Sequence, residues 1–253
     1  MGEEVLRTTV DGVRAVELQY RPIREISSGR SVFFQSRTQL NTPGLGVLMP
    51  EAYRKAAEFS GQCRKLFPLE LMQALETVTS YQEKDVIFDW LSVFLPVKVL
   101  RDPALESLMV NACDQFDVIP GKICLALPEK VLMESDGIAP HAVGNLRRRG
   151  FHVLLMNFGE SGCPYLKLSE LPADFVMLSP AVTQYLGKGE RCDQAVRSVI
   201  GFVNDIGSEP VADGVKNSAQ ASALYEAGCS YCAGPLSGPY LPPDSVAKGR
   251  NLS

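Results

Sequence analysis

The sequence predicts an α/β barrel, in which about eight strands close into one sheet and helices cover the outside. Short apolar stretches alternate with helical patterns along nearly the whole chain, which is typical of parallel strands joined by helices. Roughly seven or eight such units can be counted, and this number favours closure into a barrel. No linker or low-complexity segment interrupts the 253 residues. We therefore expect one domain over residues 1–253, with its core at about 15–247.

The first two strands are predicted to be antiparallel, unlike the others. Residues 16–26 and 31–40 are rich in β-branched and aromatic residues, and the turn signal Ser27-Ser28-Gly29-Arg30 is too short for a parallel crossover. The later segments are predicted as helices at 50–59, 69–80, 102–116, 139–149, 192–206 and 218–227, and as strands at 86–93, 122–127, 151–156, 175–178, 210–212 and near 231.

Composition excludes several classes of function. The net charge of −4 and the pI near 5.4 argue against a nucleic-acid binder that relies on bulk charge. The sequence has no apolar run long enough for a membrane span, and its acidic start is unlike a signal peptide. Seven scattered cysteines suggest reduced thiols and a cytoplasmic protein. Cys229 and Cys232 alone supply only half the ligands of a zinc site, so no metal is expected there.

In a barrel of this class, the chemistry is carried by residues at the carboxyl ends of the strands. An enzyme should show carboxylates, histidines, lysines or metal ligands at these positions. The set is instead mostly apolar or amide: Gln35, Phe94, Ala126, Met156, Asn157, Met177, Leu178, Ser179, Asp213 and Ala233. This composition is unusual for a catalytic barrel.

Several strings, taken in order, resemble the EAL domain, the bacterial cyclic di-GMP phosphodiesterase fold. Tyr20-Arg21-Pro22-Ile23 with Ser28-Gly29-Arg30 is similar to the family's first hairpin, "YQPI…TG". Asn41-Thr42-Pro43-Gly44-Leu45-Gly46 through Pro50, with Ala57-Glu58, is similar to "NHPELGLISP…AE". Further matches in order are Leu91-Ser92-Val93, Asn157-Phe158-Gly159, Leu171-Pro172-Ala173-Asp174, Ala212-Asp213-Gly214-Val215 and the segment 228–234. The resemblance covers about residues 15–247.

The resemblance implies a reaction that this chain lacks the residues to perform. A working member uses acidic and amide ligands to hold two divalent cations, which activate water for attack on a phosphodiester. The family's Glu-Ala-Leu signature is Gln35-Ser36-Arg37 here, and its phosphate-binding arginine falls on Gln39. Other ligand or catalytic positions fall on Phe94, Ala126, Met156, Asn157, Met177, Ser179, Asp213, Lys216, Ala233 and Pro235, while one acid survives as Glu129. The resemblance therefore implies a degenerate EAL domain with no catalytic residues, no bound metal and no cofactor.

Three functions remain open at this point. The first is a regulatory module in bacterial signalling that binds a protein partner, with a homodimer as a further alternative drawn from the family. The second is a receptor that binds cyclic di-GMP without metal, although weak or absent binding is expected because Gln39, Met177 and Ala233 offer no charge to phosphate. The third is a residual phosphodiesterase. Ligand-binding candidates at the barrel mouth are Arg21, Gln35, Arg37, Gln39, Asn157 and Asp213, and partner-binding candidates are Phe94, Met156 and Met177.

The replaced positions also predict how the mouth is packed. Phe94, Ala126, Met156, Met177 and Pro235 should all lie toward one end of the barrel. We expect Phe94 to be buried and the two methionines to lie nearer the surface, where flexible thioether side chains suit an adaptable contact.

Overall fold

The computed structural model describes residues 9–10 and 13–249, with side chains from Arg14 to Val246. The strands are β1 (Thr9–Val10), β2 (Val13–Arg14), β3 (Val16–Glu25), β4 (Ser31–Thr42), β5 (Gly46–Leu48), β6 (Trp90–Phe94), β7 (Ile123–Pro128), β8 (His152–Phe158), β9 (Phe175–Leu178), β10 (Glu209–Ala212) and β11 (Tyr231–Cys232). The helices are α1 (Pro50–Ser60), α2 (Cys63–Glu83), α3 (Val97–Leu100), α4 (Leu105–Phe116), α5 (Ile138–Arg148), α6 (Pro180–Thr183), α7 (Glu190–Asp205), α8 (Ser218–Glu226) and α9 (Pro243–Gly249). The acidic start that bears on a signal peptide lies outside the described residues.

Eight strands form a closed barrel, as the sequence predicts. Their order around the barrel is β3-β11-β10-β9-β8-β7-β6-β4, and pairing between β3 and β4 closes it. The strand β3 is antiparallel to both of its neighbours, whereas β4 and β6 to β11 are mutually parallel. The carboxyl ends of seven strands therefore meet at one end of the barrel, which we call the mouth.

The end of the barrel interior that lies away from the mouth is filled with aromatic rings. Phe33 and Trp90 stack with their ring centroids 4.2 Å apart, and Phe175 packs against both at 5.2 Å. Tyr231 lies 4.9 Å from Phe33. These bulky side chains come from four different strands and pack together in the core cluster inside the barrel.

The helices pack outside the sheet, and α2 is the longest of those described. It begins before Pro68, although the sequence places the helix start after that residue. Its buried face carries Phe67, Leu71 and Leu75 into the main core. Within residues 9–10 and 13–249, none of the helices combines the length and apolarity that crossing a membrane requires.

Two element boundaries differ from the sequence prediction in ways that have a physical reason. The strand expected at 86–93 begins only at Trp90, because Phe88 turns inward against Tyr81 while Ile87 is exposed. The helix expected at 102–116 begins only at Leu105 as α4, because Asp102 and Pro103 lie in the turn that follows the short helix α3. Neither shift moves a strand end at the mouth by more than one residue.

Candidate functional site at the barrel mouth

The mouth brings together the side chains of strand ends that are far apart in sequence. Strand register places Phe94 beside Ala126, Pro128 beside Met156, and Met177 beside Val211. On the antiparallel side, Arg21 lies opposite Gln35. The mouth divides into two halves of different character.

The closed half is a cluster of Arg21, Gln35, Met177 and Asp213, joined by hydrogen bonds, with the ring of Tyr240 packed against Arg21. Arg21 donates from Nε to Gln35 Oε1 at 2.8 Å and from a terminal nitrogen to Asp213 Oδ2 at 2.7 Å. The side chains of Arg21 and Asp213 are only 13% and 12% exposed. Gln35 then donates from Nε2 to the sulfur of Met177 at 3.4 Å. The Asp213 carboxylate also accepts from the backbone N–H of Gly214 at 2.6 Å, so Arg21, Gln35 and Asp213 are linked to one another and to the backbone.

Electrostatics keep the arginine of this cluster charged. Burial disfavours the guanidinium, but the charge of Asp213, the nearby Tyr240 and the hydrogen bond to Asp213 together hold the pKa of Arg21 above its usual value. The ring of Tyr240 lies 4.9 Å from Arg21 and 4.3 Å from Arg37, so one aromatic side chain contacts both cations. Burial raises the pKa of Tyr240, which therefore stays neutral.

Arg37 and Gln39 belong to a row of polar contacts that runs along the first hairpin away from the closed half. Arg37 donates to Gln19 Oε1 at 2.8 Å, Gln19 donates to Gln39 Oε1 at 3.0 Å, and Gln39 donates to Glu17 at 2.8 Å. Both predicted ligand residues thus have intramolecular partners. A ligand at either one would have to compete with these contacts.

The open half lies between α1 and the ends of β6 to β8. It contains a cavity of about 240 Å³ lined by Arg54, Lys55, Glu58, Phe94, Pro128, Lys130, Met156 and Asn157. The guanidinium carbon of Arg54 lies 3.7 Å from the ring centroid of Phe94. This half combines positive charge with an apolar wall.

A bulge in β8 shapes the rim of the open half. Pairing between β8 and β9 is irregular between Leu155 and Phe158, and Asn157 takes a left-handed conformation with φ of 58°. Asparagine tolerates this conformation better than most residues. The following loop is fixed by Glu129, whose carboxylate accepts hydrogen bonds from the backbone N–H groups of Gly159 at 2.8 Å and Ser161 at 2.7 Å. Glu129 therefore holds the backbone rather than a ligand.

The expected packing of the three partner-binding candidates is partly wrong. Met177 is completely buried, with an exposed fraction of 0%, because it points into the barrel beneath Gln35. Phe94, which was expected to be buried, is half-buried at the rim under Arg54. Met156 is also half-buried and lines the cavity, as expected for a residue near the surface. Met177 is thus unavailable to a partner.

Sequence reasoning missed the basic residues of the open half and the aromatic residue of the closed half. Arg54 and Lys55 lie on α1, Lys130 follows β7, and Tyr240 comes after the last strand. None of them occupies a strand end, where a barrel of this class carries its chemistry. The Glu58–Lys130 ion pair links α1 to the residues after β7, and no local pattern could have indicated it.

The residues at the mouth do not fit two divalent cations. Magnesium and manganese require several oxygen ligands, which Phe94, Ala126 and Met156 do not supply. Asp213 is already paired with the Arg21 guanidinium at 2.7 Å, and a cation at this carboxylate would have to displace it. Among the residues that the structure describes, no three His, Cys, Asp or Glu side chains come together as a potential metal site.

These features define a TIM-like barrel with an antiparallel first strand and a mouth of unusual composition. The EAL domain family model matches residues 4–240, and the chain belongs to this family. The EAL enzyme Bd1971, solved with cAMP and cyclic di-GMP bound, superposes with a TM-score of 0.85 at 18% sequence identity, covering 93% of this chain and 64% of that one. At 18% sequence identity, this structural similarity establishes the fold alone.

Two curated relatives place the chain among larger proteins. The signaling protein YkoW of Bacillus subtilis is 18% identical over 242 residues, which is 96% of this chain and 30% of YkoW. The cyclic di-GMP phosphodiesterase RocR of Pseudomonas aeruginosa is 23% identical over 220 residues, covering 87% of this chain and 56% of RocR. The chain therefore spans roughly a third to a half of the length of these relatives.

Proposed function

We propose that this EAL domain is a catalytically inactive regulatory module in cyclic di-GMP signalling that acts by binding a protein partner. The supporting observation is the closed half of the mouth. Where the family would hold metal ligands, Arg21 bridges Gln35 and Asp213 in a largely buried cluster. A divalent cation there would have to displace a guanidinium from its carboxylate.

The link to cyclic di-GMP comes from the relatives. RocR is described as a cyclic di-GMP phosphodiesterase, and the Bd1971 structure contains cyclic di-GMP. A domain that keeps the fold but loses the metal ligands can still act in the same pathway through its surface. All seven cysteines are free thiols, six of them buried, which supports placement in the reducing cytoplasm.

A metal-independent receptor for cyclic di-GMP is the second candidate function. The observation in its favour is the pair Arg21 and Arg37, which flank the ring of Tyr240 and would suit a stacked base with a phosphate. The observation against it is that both arginines already have partners, in Asp213 and Gln19. We therefore expect weak or absent binding.

Calorimetric titration of cyclic di-GMP into the protein, with and without Mg²⁺, tests both candidates. The inactive module predicts negligible heat in both conditions. Micromolar or tighter binding that does not depend on Mg²⁺ would favour the receptor, and Arg21 and Arg37 would then be the residues to substitute. Sustained heat that requires Mg²⁺ would indicate turnover and would contradict both.

The protein-partner function has a test of its own at the half-buried Met156. Met156→Glu places a charge on the rim, so it should abolish co-purification of a partner while leaving the melting temperature nearly unchanged. The matched control is Met133→Glu, since Met133 is exposed but does not line the cavity. Equal partner recovery with both variants would remove the open half from the interface, and size-exclusion chromatography of the wild type would show whether that partner is a second copy.

A further inference from the structure

The last turn of α1 presents an aromatic side chain to water. Phe59 is 90% exposed, which makes it the most exposed of the large apolar side chains that the structure describes. The buried residues of the same helix, Pro50, Tyr53 and Ala57, lie on its opposite side. A single apolar residue on a surface is common, so the importance of Phe59 depends on what surrounds it. A partner that covered this ring would remove most of its apolar area from water.

Three exposed cations surround Phe59, and each comes from a different helix. Lys98 of α3 donates from Nζ to the Phe59 carbonyl oxygen at 3.1 Å. Lys55 lies four residues before Phe59 on α1, a spacing that places two side chains on the same face of a helix. Arg64 of α2 follows directly after the turn at Gly61, which takes a left-handed conformation with φ of 81°. We call Lys55, Phe59, Arg64 and Lys98 the α1 patch.

The cations on α2 and α3 belong to one continuous surface. Burial and the charge of Glu58 raise the pKa of the Cys63 thiol, and the charges of Lys98 and Arg64 partly offset this increase. Both cations therefore lie close to Cys63, the first residue of α2. The end of α1, the start of α2 and α3 thus present their charges side by side.

The α1 patch is positive on a protein that is acidic overall. Arg64 lies 4.0 Å from Asp102, at the limit of an ion pair, and the neighbouring acid Glu58 is held by Lys130. Neither lysine of the patch forms a salt bridge with any residue that the structure describes. The whole chain carries a net charge of −4, so this local excess of positive charge is not a consequence of composition. It favours a negatively charged partner.

We propose that the α1 patch binds an acidic segment of a partner protein, with carboxylates opposite the three cations and an apolar pocket for the ring of Phe59. Aromatic and arginine side chains carry much of the binding energy at protein interfaces, and complementary charge selects the partner. None of the four residues stands at a position where the family resemblance implies metal, phosphate or nucleotide binding. The proposal rests on the proposed function, which requires a protein partner, and it names the chemistry of that contact.

An anionic membrane and a second copy of this chain fit the α1 patch less well. A helix that lies on a membrane presents a whole apolar face, whereas Phe59 is the single large apolar side chain of the patch. In a two-fold dimer through this surface, each patch would meet the same patch of the other copy, and like charges would face each other. An acidic segment of a different protein avoids both problems.

The test is photo-crosslinking of the full chain in the cells it comes from, with benzoylphenylalanine incorporated at position 59. The matched control carries the same crosslinker at position 87, because Ile87 is 83% exposed and precedes β6 at the end of the barrel away from the mouth. We expect an adduct with one other protein from position 59 only. Mass spectrometry of the adduct should locate the crosslink in a segment rich in aspartate and glutamate.

Charge reversal then tests the chemistry of the contact with the crosslinked protein. Arg64→Glu and Lys98→Glu should each weaken its binding about tenfold without lowering the melting temperature of the domain. Lys188→Glu is the matched control, since Lys188 is exposed and follows β9, which lies four strands around the barrel from β4. It changes the net charge equally and should leave the affinity unchanged. Replacing an acid at the crosslinked segment with lysine should restore binding to Lys98→Glu.

Several outcomes would overturn the proposal. They are an adduct with lipid or with a second copy of the chain, equal yields from positions 59 and 87, no adduct from position 59, and equal affinities of Lys98→Glu and Lys188→Glu. If the wild type still recovers a partner that Met156→Glu loses, the proposed function stands while the α1 patch is excluded. Hydrolysis of cyclic di-GMP, in contrast, would contradict the proposed function whatever the crosslinking shows.

Discussion

The two halves of the mouth lie at the same end of the barrel, but one is filled by its own side chains and the other contains a cavity. In the closed half, Arg21 has a carboxylate, an amide and an aromatic ring as partners, and Met177 fills the space beneath. In the open half, Arg54 has an aromatic ring and an unsatisfied nitrogen, and a cavity lies beside it. The difference is that the closed half is filled by contacts among its own side chains, whereas the open half retains a cavity.

Substituting one methionine in each half of the mouth should give the largest difference in the free energy of unfolding. Met177→Glu would bury a carboxylate in the barrel interior and should destabilise the protein by roughly 4–5 kcal/mol. Met156→Glu places the same charge at the half-exposed rim near Arg54 and Lys130, and should cost less than about 1 kcal/mol. Urea denaturation of both variants checks this, and similar losses would break the distinction between the halves.

Removing the carboxylate of the closed half should have the next largest effect. Asp213→Ala leaves Arg21 buried without its ion-pair partner, which should cost about 3–5 kcal/mol. The double variant Arg21→Met with Asp213→Leu removes both charges and should be more stable than Asp213→Ala alone. A loss below about 0.5 kcal/mol, as is usual for a surface residue, would show that the pair is effectively solvated.

The buried Glu70 should make stability depend on pH. Its pKa is raised from 4.5 to about 7, so in this window the folded state holds a proton that the unfolded state has released. The free energy of unfolding should therefore decrease as pH rises, by about 1.4 kcal/mol per unit for this group. Glu70→Gln should gain stability relative to wild type from pH 5 to 7, and a constant difference would contradict the raised pKa.

Truncation of Phe94 should have the smallest of these effects. A fully buried phenylalanine costs about 3–5 kcal/mol when replaced by alanine, but Phe94 is half-buried and borders an existing cavity, so we expect about 2 kcal/mol. Trp90→Ala removes a ring that stacks on Phe33 at the other end of β6, and it should destabilise the protein more than Phe94→Ala. If Phe94→Ala were the more destabilising change, the open half would be as tightly packed as the barrel interior.

The barrel could be predicted from sequence because alternation of short apolar strands and helices is a property of neighbouring residues. The antiparallel hairpin followed for the same reason, since only Ser27-Ser28-Gly29-Arg30 separates its strands. The relative burial of the methionines was harder to predict. Met177 continues the inward alternation of Phe175, whereas Met156, near the end of β8, packs only partly against the same interior cluster.

The basic character of the open half could not be predicted because it depends on tertiary contacts. Arg54 reaches the mouth only because α1 packs beside β6, and Lys130 is held by an ion pair to Glu58. The closed cluster likewise joins Arg21 to Asp213, 192 positions away in the chain. Each residue taken alone has the pattern of an ordinary surface or strand residue.

The central claim, that this EAL domain does not hydrolyse cyclic di-GMP, is tested most directly by measuring the linear product formed by purified protein with Mg²⁺ or Mn²⁺. RocR assayed in parallel serves as the positive control, because it is described as a cyclic di-GMP phosphodiesterase. We predict no product from the wild type, and none from Ala126→Glu, because one restored carboxylate cannot hold two cations. Product that forms with Mg²⁺ and disappears with EDTA would contradict the account.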